Sequence, residues 1–67
     1  MRSLFITLTL AERGDPTIYV NAEHVAAITT SDAVRVVLVN GGAQFVKESV
    51  EEVLKKLDEA LDSRYPR

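Results

Sequence analysis

Asn40-Gly41 stands directly behind the most strongly β-forming stretch of the chain, Val34-Arg35-Val36-Val37-Leu38-Val39, and just ahead of a second extended stretch, Ala43 to Lys47. Asn-Gly between extended segments is the strongest short-range signal for an antiparallel hairpin, because both residues tolerate the positive φ of a primed two-residue turn. Such a hairpin commits this part of the chain to an antiparallel sheet. With Asn40-Gly41 as the whole loop, Val39 faces Gly42, Leu38 faces Ala43, Val36 faces Phe45 and Val34 faces Lys47. Residues directly opposite share a sheet face. One face then carries Val34, Val36, Leu38, Ala43 and Phe45, the expected core, and the other carries Arg35, Val37, Val39, Gln44 and Val46. That second face is unusually apolar for a surface.

The remaining segments extend the same architecture. Leu4, Ile6, Leu8 and Leu10 alternate with Phe5, Thr7 and Thr9, the period of two expected of a half-buried strand. Glu12-Arg13-Gly14-Asp15-Pro16 is a turn, and Thr17-Ile18-Tyr19-Val20 returns antiparallel because the connection is too short for a crossover. Asn21 is a good cap for a single helical turn or tight bend before the strand Val25 to Thr30. Ser49, with Glu52 three residues on, has the spacing of a capping box, in which hydroxyl and carboxylate satisfy free backbone donors reciprocally. Val50, Val53, Leu54, Leu57, Ala60 and Leu61 then form one helical stripe, and Glu51–Lys55 and Glu52–Lys56 stand four apart on the solvated side. The expected fold is α+β: a small antiparallel β-sheet of four to five short strands, over 3–10, 17–20, 25–30, 34–39 and 43–47, followed by one C-terminal amphipathic helix over 50–63.

At 67 residues the chain has room for one domain, 1–67, with a core small enough to need support from metal, disulfides or association. It has no cysteine, which removes disulfides and thiolate zinc sites and fits a reducing cytoplasm. His24 alone cannot make a usual metal site. Association with another chain is the support left. The net charge of −2 and the scatter of basic residues argue against nucleic acid as a partner. Threonines interrupt the apolar N-terminal run, which reads as a strand and is too short for a leader peptide or for insertion into a membrane.

No residue pattern points to catalysis, a cofactor or a metal. Glu23 and His24 are adjacent and point apart in a bend, where an acid–base pair is much less expected than an ordinary surface histidine. Gly41-Gly42 lacks the lysine and spacing of a phosphate loop. Glu48, Glu51, Glu52, Asp58, Glu59 and Asp62 read as a charged helix face. Phe5 and Tyr19 read as packing residues, since no basic groove surrounds them for stacking bases.

Tyr19-Val20-Asn21-Ala22-Glu23-His24-Val25, Ile28, Val37-Leu38-Val39-Asn40-Gly41 and Phe45-Val46-Lys47-Glu48-Ser49-Val50-Glu51-Glu52-Val53 together resemble the FlbD-like family of small proteins associated with bacterial flagella and swarming motility. The resemblance runs from Ile18 to Leu57. The turn Ala11 to Pro16 is longer than the compact loop usual in that family. What the resemblance implies is a non-enzymatic assembly or protein-binding module. The alternative, from another class, is a small nucleic-acid-binding regulator of phage or mobile-element origin, which the charge disfavours. Phe5, Val37, Val39 and Val46 are the expected self-association surface, packing two copies sheet on sheet into a homodimer, with another protein as a further partner.

Overall fold

The alternation from Leu4 to Leu10 is realised as β1 (Phe5–Thr9), paired antiparallel with β2 (Thr17–Asn21). Ile6 lies opposite Val20 and Leu8 opposite Ile18, so the aliphatic side chains of both strands share one face. The computed structural model describes residues 4–62; the expected strand start at residue 3 and helix end at 63 lie outside them. At the far end of β2, Asn21 Oδ1 accepts the Glu23 N–H at 2.9 Å and caps a single 3-10 turn, Ala22–His24. The chain then enters β3 (Val25–Thr30), β4 (Val34–Leu38) and β5 (Ala43–Val46), a second antiparallel sheet in the order β3-β4-β5. The helix α1 (Val50–Asp62) follows β5. The strands therefore form two sheets where one was expected. The 3-10 turn breaks the strand direction between β2 and β3, and the sheets meet again at a bridge between Leu10 and Val46.

The hairpin from β4 to β5 departs from expectation by one residue. Val34 pairs with Val46, Arg35 with Phe45, Val36 with Gln44 and Val37 with Ala43. The loop is Val39-Asn40-Gly41. The Gly41 N–H bonds to the Leu38 carbonyl at 2.9 Å, closing a tight turn, and the Leu38 N–H bonds to the Gly42 carbonyl at 2.7 Å. Gly41 alone takes the left-handed backbone, at φ 93°, while Asn40 keeps a negative φ and uses its side chain to accept the Gly42 N–H at 2.8 Å. This is a three-residue hairpin loop, with glycine at the left-handed position, in place of the primed two-residue form. Because side chains alternate strictly, a slip of one residue turns a whole strand over. Val46 therefore faces inward and is 3% exposed, whereas Phe45 faces out at 54%. The expected assignment of Val46 to the outer surface and Phe45 to the core is reversed.

The interior joins both sheets and the helix. Ile6, Leu8, Val20, Ala22, Val36, Val46 and Val53 are buried, and Ile18, Ile28, Leu57, Ala60 and Leu61 pack around them. Ser49 Oγ accepts the Glu52 N–H at 3.2 Å, so the Ser49 half of the capping box is formed and the helix begins where its spacing predicts. The apolar stripe is narrower than expected. Val53 is fully buried, but Leu54, one position round the helix, is 52% exposed. A helix that packs chiefly against one strand and one short turn offers a narrow ridge to the core.

β1 uses both of its edges. The Ala22 N–H bonds to the Leu4 carbonyl and the Leu10 N–H to the Pro16 carbonyl, so even-numbered residues of β1 bond toward β2. The odd-numbered backbone groups face the other way, and each kind of partner there is different. The Phe45 carbonyl accepts the Ala11 N–H and the Lys47 N–H donates to the Thr9 carbonyl, both at 2.9 Å. Both carboxylate oxygens of Glu48 accept the Thr9 N–H, at 2.9 and 3.1 Å. Lys56 Nζ, expected to pair with Glu52, instead donates to the Thr7 carbonyl at 2.8 Å. Lys47 also forms an ion pair with Asp15 in the first turn.

Two tests follow from these contacts. Gly41→Ala should destabilise the protein by about 1–2 kcal/mol, the cost of a left-handed backbone for a residue with a Cβ. A change within a few tenths in chemical denaturation would mean that the loop is not the three-residue form. The second concerns Glu48. Partial burial acts to raise its carboxyl, but hydrogen bonds from the Thr9 backbone, its own N–H and the Thr9 side chain, with the charge of Lys56, outweigh burial and hold it below the ordinary 4.5. A lowered folded-state value means that the native chain favours the carboxylate more than the unfolded chain does. The resulting stability is present above pH 4.5 and is lost as pH falls through the lower native value. Glu48→Gln should therefore lower the urea midpoint at neutral pH and flatten its decline in acid. Equal acid sensitivity of the two proteins would rule the clamp out.

Candidate functional site

The inward aliphatic residues of the strands are taken up by the core, so on the strands the large apolar side chains left exposed are outward ones. On β3-β4-β5 the outward residues stand in two rows. Register places Ala27 opposite Val37 and Val37 opposite Ala43, and it places Thr29 opposite Arg35 and Arg35 opposite Phe45. Arg35 is held down along its row, with Nε donating to Thr29 Oγ1 at 3.3 Å. The Phe45 ring, Arg35 and Thr29 line a shallow hollow completed by Ser31, Asp32 and Ala33 of the β3–β4 loop. An aromatic ring beside a fixed guanidinium is a combination enriched where proteins meet proteins.

The outward face of β1-β2 has a different character. Phe5, Thr7 and Thr9 on one strand and Thr17, Tyr19 and Asn21 on the other include no charged side chain. Tyr19 is 71% exposed and Phe5 55%, so neither is a core packing residue, contrary to expectation. They stand diagonally across the ladder, since Thr7 is opposite Tyr19 and Phe5 opposite Asn21. Phe5 also borders a groove between β1 and α1, lined by Thr7, Lys56, Glu59 and Ala60.

The four residues expected to form one self-association surface are thus dispersed. Val37 lies half-buried on the outward face of β4 and Val39 is exposed at the turn beyond it. Phe5 belongs to the other sheet, and Val46 is in the core. Phe45 is the surface residue that sequence reasoning misses, through the one-residue error in loop length; Arg35 is outward as expected, and only its pairing with Phe45 is hidden. Tyr19 is visible as an outward residue from its alternation with Ile18 and Val20, and only its pairing with β1 shows which side is out.

His24 is exposed at the end of the 3-10 turn, and the neighbouring Glu23 is also exposed. Among the described residues no group of three or more His, Cys, Asp or Glu is placed to hold a metal ion, and no helix is long and apolar enough to cross a membrane.

The family model FlbD, "Flagellar and Swarming motility proteins", matches residues 6–63, from the first inward residue of β1 past the end of α1. No curated protein and no solved structure matches the chain. The match takes in both sheets, the three-residue hairpin and the helix that packs on β1, and on that extent the chain belongs to the FlbD family of flagellar and swarming motility proteins.

Proposed function

We propose that this member of the flagellar and swarming motility family is a non-catalytic protein-binding module of the cytoplasm, and that one of its partners is a second copy of itself. The observation behind this reading is the unequal division of the apolar residues. Among the described residues seven hydrophobic ones are buried, while Phe5, Tyr19, Val39, Phe45 and Leu54 are each more than half exposed. A core this small is a marginal source of stability for a short chain, and association is a common remedy. Exposed aromatic residues are costly to keep in water and are typical of surfaces that other proteins cover, whether on the uncharged face of Phe5 and Tyr19 or beside the guanidinium of Arg35.

The reading makes two expectations. By light scattering at micromolar concentration the mass should be twice that of the 7.4 kDa chain. A monomer at every accessible concentration sinks self-association. In the native host, Phe45→Lys at the wild-type protein level should reduce swarming or swimming expansion, whereas Lys55→Asp, on the solvated side of α1, should not. Unaltered motility in the Phe45 variant would remove the outward face from the function. Nanomolar binding to mixed-sequence DNA or RNA at moderate salt would replace the reading altogether, since non-specific phosphate contacts give only micromolar affinity.

A further inference from the structure

We infer that two copies of the chain join through the free edge of β3, antiparallel across a two-fold axis, with Thr29 opposite Thr29 of the second copy and Ile28 opposite its Thr30. The inference deepens the self-association proposed above and rests on it.

The direction of every backbone group along β3 follows from the hairpin. The Leu38 N–H bonds to Gly42, so Leu38, Val36 and Val34 bond toward β5, and Arg35 and Val37 bond toward β3. Their partners Thr29 and Ala27 are thereby occupied. Ile28 and Thr30 direct their N–H and C=O groups away from the sheet. Among the described residues β3 pairs only with β4.

Proteins ordinarily protect such an edge with charge, proline or a covering side chain. The open side of β1 is protected in that way, by the Glu48 carboxylate on Thr9 and the Lys56 ammonium on Thr7. β2, the other outer strand, is short and starts immediately after Pro16. β3 has no comparable protection among the described residues. Val25-Ala26-Ala27-Ile28-Thr29-Thr30 is the longest of the five strands and has no charged residue and no proline, and its one irregularity, a bulge between Val25 and Ala27, lies away from Ile28 and Thr30.

Self-pairing suits the residues present. A two-fold through Thr29 lets Ile28 and Thr30 of each copy exchange backbone hydrogen bonds, and it juxtaposes two threonines, a favourable cross-strand pair. The outward row becomes Phe45–Arg35–Thr29 continued by its own reverse, and two three-stranded sheets become one of six strands. The two Arg35 side chains stand three strand spacings apart, about 14 Å, beyond the roughly 8 Å screening length at physiological salt. Their repulsion is therefore weak. The aromatic hollows at the two ends of the row stay open.

The test separates the edge from the outward face. Wild type, Thr30→Pro and Phe45→Lys are compared by concentration-dependent light scattering, with circular dichroism to verify that each is folded. Thr30 is exposed and its N–H is unused within one copy, so proline there should leave the fold intact while removing one donor from each side of the joint. The dimer dissociation constant should rise by about tenfold or more for the two lost bonds, and Phe45→Lys should leave it unchanged. Hydrogen exchange on the wild type gives a readout free of any substitution: the Ile28 and Thr30 amides should be protected in the dimer and lose protection on dilution. A dimer in which those amides exchange freely, or one dissociated by Phe45→Lys and not by Thr30→Pro, overturns the edge joint while leaving self-association standing. A monomer under all conditions overturns both.

Discussion

The left-handed backbone at Gly41 is the constraint on which the rest of the structure depends. It allows the chain to reverse in three residues, and that count decides which way β5 faces. With β5 so turned, Val46 reaches the interior beside Val36, and the odd-numbered backbone groups at the end of β5 meet those at the end of β1, Phe45 bonding to Ala11 and Lys47 to Thr9. The strand-to-strand link between the two sheets is thus a consequence of a turn some distance from it. With one residue fewer in the loop, Phe45 would be driven inward and Val46 outward.

What lies after β5 consolidates the same junction. The three residues between β5 and α1, Lys47-Glu48-Ser49, each make a different bond: to the Thr9 carbonyl, to the Thr9 N–H and to the first turn of the helix. Together they fix the angle at which α1 leaves the sheet. Val53 is then delivered to the centre of the core and Lys56 to the Thr7 carbonyl. The helix has little intrinsic need for this orientation, as its exposed Leu54 shows. Its position is imposed by the strand pairing that precedes it.

Much of this is legible in the amino-acid sequence wherever a residue acts on its own neighbours. The alternation of Ile6 and Leu8 with threonines, the Asn21 cap and the Ser49 start are local chemistry, and each appears where its pattern puts it. The loop length is not legible because Asn-Gly serves two hairpins: in one both residues are left-handed, and in the other only the glycine is. That single ambiguity puts Val46 and Phe45 on the wrong sides, and with Val46 one of the four residues of the expected contact surface. Lys56 escapes for a related reason. Its helical neighbour Glu52 is visible in sequence, whereas the backbone of Thr7, 49 residues away, is not. The division into two sheets is hidden in the same way, because a three-residue 3-10 turn can kink a strand or end it.

The bonds that close β1 span 39 residues from Thr9 to Glu48 and 49 from Thr7 to Lys56. During synthesis, therefore, the first strand emerges long before anything that can complete it. It can pair with β2 early, but a two-stranded ribbon is at best marginally stable in water. Its second edge stays unsatisfied until Phe45 to Lys56 have been made. Folding is in this sense committed by the segment from Phe45 to Lys56, and a ribosome halted before Lys56 would hold a nascent chain with the hydrophobic strand β1 still searching for a partner.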